Sequence, residues 1–173
     1  MKRNTPKKIT PDQFKKMKER PNNLSVKGNL DLRWSSISKL PEDLHVDGDL
    51  WLEWTNISNL PKGLNVGGDL FLRWIKISKL PEDLSVGGGV YLRWSNISKL
   101  PKGLNLKGNL GLEWTNLSEL PKGLSVEGHL NLEWANISKL PDDLSVGGSL
   151  DLRWTNISKL PDDLSVGGEV VTN

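Results

Sequence analysis

From Leu24 onward the sequence repeats every 20 residues without insertion or deletion, giving seven complete units, 24–43 through 144–163, and a half unit, 164–173. The unit reads L-x-V-x-G-x-L-x-L-x-W-x-x-I-x-x-L-P-x-x, as in Leu44, Val46, Gly48, Leu50, Leu52, Trp54, Ile57, Leu60 and Pro61. Its columns tolerate only like-for-like changes, such as Leu106 for Val, Val90 for Leu and Leu117 for Ile. Twenty residues with one apolar set cannot enclose a core of their own, so successive units must stack and bury a shared one.

Within a unit the apolar residues alternate at period two from Leu44 to Trp54, the pattern of extended chain with one face turned inward. Proline in every unit excludes continuous helix. Glycine in the column 28, 48, 68 to 168 reads as the bend between two short strands. The expected fold is a mostly β solenoid of about seven coils with parallel ladders. At about 4.8 Å per coil it makes a rod about 34 Å long.

Residues 1–23 stand outside the repeat and form a basic N-terminal segment; 24–173 form the solenoid. Thr10-Pro11-Asp12-Gln13 is a capping box with proline at the first helical position, and Phe14 and Met17 give the short helix that follows a small apolar stripe. That helix is expected to cover the first coil, as terminal repeats require.

The stretch Leu50-Trp51-Leu52-Glu53-Trp54-Thr55-Asn56-Ile57-Ser58-Asn59-Leu60-Pro61 resembles the L-x-L-x-x-N-x-L-x-x-L-P of the short, 20-residue bacterial class of leucine-rich repeats, over residues 24 to about 170. The family's ladder asparagine falls on a column that here reads Ser35, Thr55, Ile75, Ser95, Thr115, Ala135 and Thr155, and its leading leucine is replaced by the valine before glycine. A plainer parallel β-solenoid fits the same parity. The resemblance implies a recognition surface, of bacterial or phage origin, that binds protein and performs no chemistry.

Composition agrees with that expectation. There is no cysteine, hence no disulfide, thiolate nucleophile or Cys-bound zinc. His45 and His129 lie four coils apart on different columns, and the paired acids at 142/143 and 162/163 lack companion ligands. No catalytic residue, cofactor or metal site is therefore expected. Neither a membrane span nor an apolar leader is present, which points to a soluble cytoplasmic protein, with delivery into a host cell left open.

Candidate binding residues come from the columns that vary. Between the two strand leucines stand Asp31, Trp51, Phe71, Tyr91, Gly111, Asn131 and Asp151, so three consecutive coils place aromatics in one outward row. Trp51, Phe71 and Tyr91 are the expected anchors for a protein partner, with Asp49, Glu53, Asp69, Arg73 and Arg93 as their polar surround. Trp34, Trp54, Trp74, Trp94, Trp114, Trp134 and Trp154 form a second stripe at the corner after the strand, either a stacked ladder at least partly buried or an exposed binding surface.

Charge suggests two rivals. Residues 1–22 carry +6 and residues 141–173 carry −4. The basic segment with the aromatic row would suit nucleic acid, although Asp49, Glu53 and Asp69 would repel phosphate. Alternatively the chain self-assembles through the C-terminal edge, residues 164–173, whose last strand has no evident cover.

Overall fold

A computed structural model describes residues 7–173; Lys2 and Arg3 of the basic segment lie outside them. The chain winds as a parallel β-solenoid in which every coil contributes two short strands. The second strands form one continuous eight-stranded sheet from Leu30–Asp31 to Val170–Val171. Leu30, Leu50, Leu70, Val90, Leu110, Leu130, Leu150 and Val170 fall in direct register along it. This is the stacking that a strict 20-residue period demands. Leu50 and Leu52 are completely buried, like their equivalents at Leu70, Leu72, Leu110, Leu112, Leu130 and Leu132.

The first strands form a shorter ladder in two pieces, a five-stranded sheet ending at Ser85–Val86 and a four-stranded sheet starting at Asn105–Leu106. The break coincides with the one leucine in an otherwise all-valine column. Leu106 is larger than the valines it replaces, and added volume in a packed stack forces neighbours apart. Leu84 and Val86 beside it are only half-buried, and a crevice of about 200 Å³ opens between Leu84–Val86 and Leu104–Leu106.

The N-terminal segment behaves as a cap and contains one element that repeat reading misses. Strand β1, Lys7–Ile9, pairs in parallel with β2, Leu24–Val26, with Ile9 beside Val26 and buried. Helix α1, Pro11–Lys16, follows at once; Thr10 accepts from the Gln13 amide and the Gln13 side chain accepts from the Thr10 amide. Phe14 is fully buried and Met17 packs against the same core. Arg20 closes over Phe14, its guanidinium carbon 4.8 Å from the ring centroid and its Nε donating to the Phe14 carbonyl.

The glycine column lies in the bend between the two strands, as expected, but beyond Gly28 the bend uses no left-handed backbone. Gly28 has φ +76°, but Gly48 and its later equivalents do not take positive φ; that conformation falls on Gly63, Gly103 and Gly123 in the corner after proline. What requires glycine at 48 is contact between coils. A Cβ there would overlap the Asn29 side-chain oxygen and lie 3.0 Å from the Gly28 carbonyl carbon.

Candidate interaction face

The outward face of the eight-stranded sheet is built by a turn that leaves each coil through tryptophan. In coil 2 the turn is Leu52-Glu53-Trp54-Thr55, closed by the Thr55 amide donating to the Leu52 carbonyl at 3.3 Å. The Thr55 hydroxyl donates to the same oxygen at 2.7 Å. Thr115 and Thr155 repeat this hydroxyl bond, while Ile75 and Ala135 fill the column as buried apolar residues. The third residue of such a turn takes a left-handed conformation, ordinarily left to glycine or asparagine. Here all seven column tryptophans occupy it, with φ between +57° and +60°.

For an L residue this backbone costs about 1–2 kcal/mol. The offset lies in the stack. Six successive indole pairs stand 4.5–5.1 Å apart between centroids and within 17° of parallel. Each stacked pair contributes about 0.5–1.5 kcal/mol beyond area burial, so the six pairs together offset much of what the seven backbones lose. Main-chain bonds reinforce the arrangement, as where Trp34, Trp74 and Trp94 donate to the carbonyls of Glu53, Arg93 and Glu113 in the next coil. At the last coil the Asn173 side chain supplies that acceptor to Trp154, at 2.8 Å.

Both sequence readings of the column therefore hold in part: the indoles are a stacked ladder, and the ladder is exposed. Trp34, Trp54, Trp74, Trp134 and Trp154 are 41–73% accessible, with Trp94 and Trp114 half-buried between them. Stacking consumes the ring faces and leaves the edges outward. Among the described residues none of the seven indole N–H groups has a protein acceptor.

Beside the ladder runs the shorter aromatic row. Trp51 and Phe71 stack at 5.5 Å, Phe71 and Tyr91 at 4.9 Å, all three half-buried. Arg33 lies over Trp51, and Arg73 over Tyr91, both at 5.7 Å. Beyond Tyr91 the row drops away at Gly111, which is buried.

A charged column separates row from ladder: Arg33, Glu53, Arg73, Arg93, Glu113, Glu133 and Arg153. Some members are held within the chain. Arg33 chelates Asp31, with Nη2 at 2.8 Å, and this bond holds the Asp31 carboxyl below its usual range. Burial opposes ionisation of Asp151, yet Arg153 outweighs it through a 2.6 Å bond and a backbone amide, and Asp151 too is lowered. Glu53 differs. It is only 9% exposed and its Oε2 has no hydrogen-bond partner. Burial raises its carboxyl, against the opposing pull of Arg33 and Arg73.

A carboxyl raised in the folded state holds its proton longer than in the unfolded chain, so its stabilising contribution is complete below the unfolded value and lost as pH rises through the folded one. Glu53→Gln should accordingly be more stable than the parent at pH 7, with the gain disappearing near pH 4. Thermal melts of dilute protein at the two pH values check this; an equal gain at both would separate the effect from ionisation.

Two residues placed in the polar surround by sequence have a further role. Asp49 Oδ1 accepts from the Asp69 amide at 2.8 Å and Asp69 Oδ1 from the Gly89 amide at 2.6 Å. They belong to a side-chain ladder continued by Asn29, Asn109, His129 and Ser149, each accepting from the amide one coil later. The signal was present in the sequence, because the column holds short acceptor side chains in every unit from 29 to 149 except at Gly89. Arg73 and Arg93 stand exposed on the face as expected.

No family of proteins, no curated protein and no solved structure matches this chain. Among the described residues no group of three or more His, Cys, Asp or Glu side chains is arranged to hold a metal ion, and no helix is long and apolar enough to cross a membrane.

Proposed function

We propose that the chain is a non-enzymatic recognition scaffold of the leucine-rich-repeat kind, binding protein along the face formed by the tryptophan ladder, the charged column and the Trp51–Phe71–Tyr91 row. The observation that carries this reading is the exposed edge of seven stacked indoles. Large aromatic edges carrying unpaired N–H donors and flanked by arginine have the composition of interface hot spots. The scaffold is also prepared for it, since side chains already fixed in a stack lose little further entropy on binding. A nucleic-acid reading is weaker on this face, because bases bind by stacking on ring faces and, apart from the outer faces of Trp34 and Trp154, those of the ladder are occupied by one another.

Affinity capture with three proteins tests the proposal: the parent, a row variant Trp51→Ser/Phe71→Ser/Tyr91→Ser, and a ladder variant Trp54→Gly/Trp74→Gly/Trp134→Gly, in which glycine suits the left-handed backbone. A bound protein lost with either variant, while both keep the parent's β circular dichroism, supports the face. Retention by both variants would remove the site to another surface.

A further inference from the structure

We propose that this face pairs with a second copy of the chain, the two rods antiparallel about a two-fold axis that crosses them between coils 4 and 5. The inference rests on reading the face as a protein-binding surface, and it names the partner. The ladder repeats every 4.5–5.1 Å along one edge, and a surface of matching period is the same edge on another solenoid. A two-fold axis lying in the interface and crossing the rods sets each column against itself and runs the rods in opposite directions.

The charged column fixes the register. Within one chain it contains two like-charged neighbours in adjacent coils, Arg73 with Arg93 and Glu113 with Glu133, an arrangement that is destabilising along a ladder. With the axis between coils 4 and 5, Arg93 of one copy meets Glu113 of the other, Arg73 meets Glu133 and Glu53 meets Arg153. Every facing pair is then opposite in sign. Shifting the axis onto coil 4 sets Glu53 against Glu133 and Arg93 against itself. Shifting it between coils 3 and 4 sets Glu53 against Glu113 and Arg73 against Arg93. Parallel rods would oppose like with like throughout.

Shape agrees with the same register. The bulky row of coils 2 to 4 falls opposite the recessed half of the column, Tyr91 against Gly111 and Phe71 against Asn131. Each copy therefore presents a raised half to the other's depression.

Two charge-reversal variants test the pairing, Arg73→Glu/Arg93→Glu and Glu113→Arg/Glu133→Arg. The parent should sediment as a dimer that weakens with added salt, and each variant alone as a monomer, with self-affinity lowered more than tenfold. Mixed in equal amounts the two variants should form a heterodimer, because four acids on one then face four arginines on the other. Circular dichroism confirms that each is folded. A parent that stays monomeric up to its solubility limit at low salt overturns the dimer, while the capture experiment can still succeed with another protein. A parent dimer that survives both variants overturns the face and register, leaving residues 164–173 as the contact.

Discussion

Phe14→Ala is expected to destabilise the chain by about 3–5 kcal/mol, the range for truncating a buried aromatic. For a chain of this size each kcal/mol lowers the melting temperature by about 2–4 °C, so the melt should fall by roughly 6–20 °C. The effect is large because Phe14 is fully buried and is held from outside by Arg20. It is the principal apolar plug that α1 sets against the first coil, with only Met17 beside it. Truncation removes the ring's own burial and loosens the cover at the N-terminal end of the shared core. Hydrogen exchange should accordingly speed first at Leu24–Val26, ahead of coils in the middle of the rod. A loss below about 1 kcal/mol would mean that the first coil is stable without its cover.

Gly48→Val should cost about 3 kcal/mol, through two contacts that cannot both relax. A Cβ at residue 48 runs into the Asn29 oxygen, which accepts from the Asp49 amide at 2.9 Å, and it approaches backbone of the preceding coil at 3.0 Å. Moving Asn29 aside leaves the Asp49 amide without that acceptor; lifting the coil strains the strand pairing of Leu30 with Leu50 on one side and Val26 with Val46 on the other. Overpacking in a close-packed interior costs about 1–3 kcal/mol, and a lost hydrogen bond adds about 1. Chemical denaturation reads the difference directly. Near-parental stability would show that the spacing of coils 1 and 2 is slack.

The stack, its register and the inward leucines were legible in the sequence because they follow from period and parity alone. The helix start was legible as well, since Thr10 and Gln13 form a purely local device. What escaped were features set by contacts between coils. Strand β1 offers one apolar residue, Ile9, and pairs with β2 at an offset of 17 residues, so no periodic signal marks it. The requirement for glycine at 48 comes from the coil beneath and was credited to its own backbone. The left-handed tryptophans run against local preference, and only the stack of seven makes them tenable. On the face, the row and the arginines Arg73 and Arg93 lie outward as expected, whereas the burial of Glu53 and the bonds of Asp49 and Asp69 to the next coil were not foreseen, because outward parity says nothing about what packs over a side chain or which amide lies within reach.

The side-chain ladder of Asn29, Asp49, Asp69, Asn109, His129 and Ser149 gives the rod a direction. In every rung the acceptor sits on the earlier coil and the amide it receives comes from the later one. Except at Gly89, a coil once formed thus displays an oriented acceptor for the segment that follows, whereas none of these side chains accepts from an amide of the segment before. Extension from the capped first coil, the order in which a ribosome delivers the chain, is the direction that this polarity would favour.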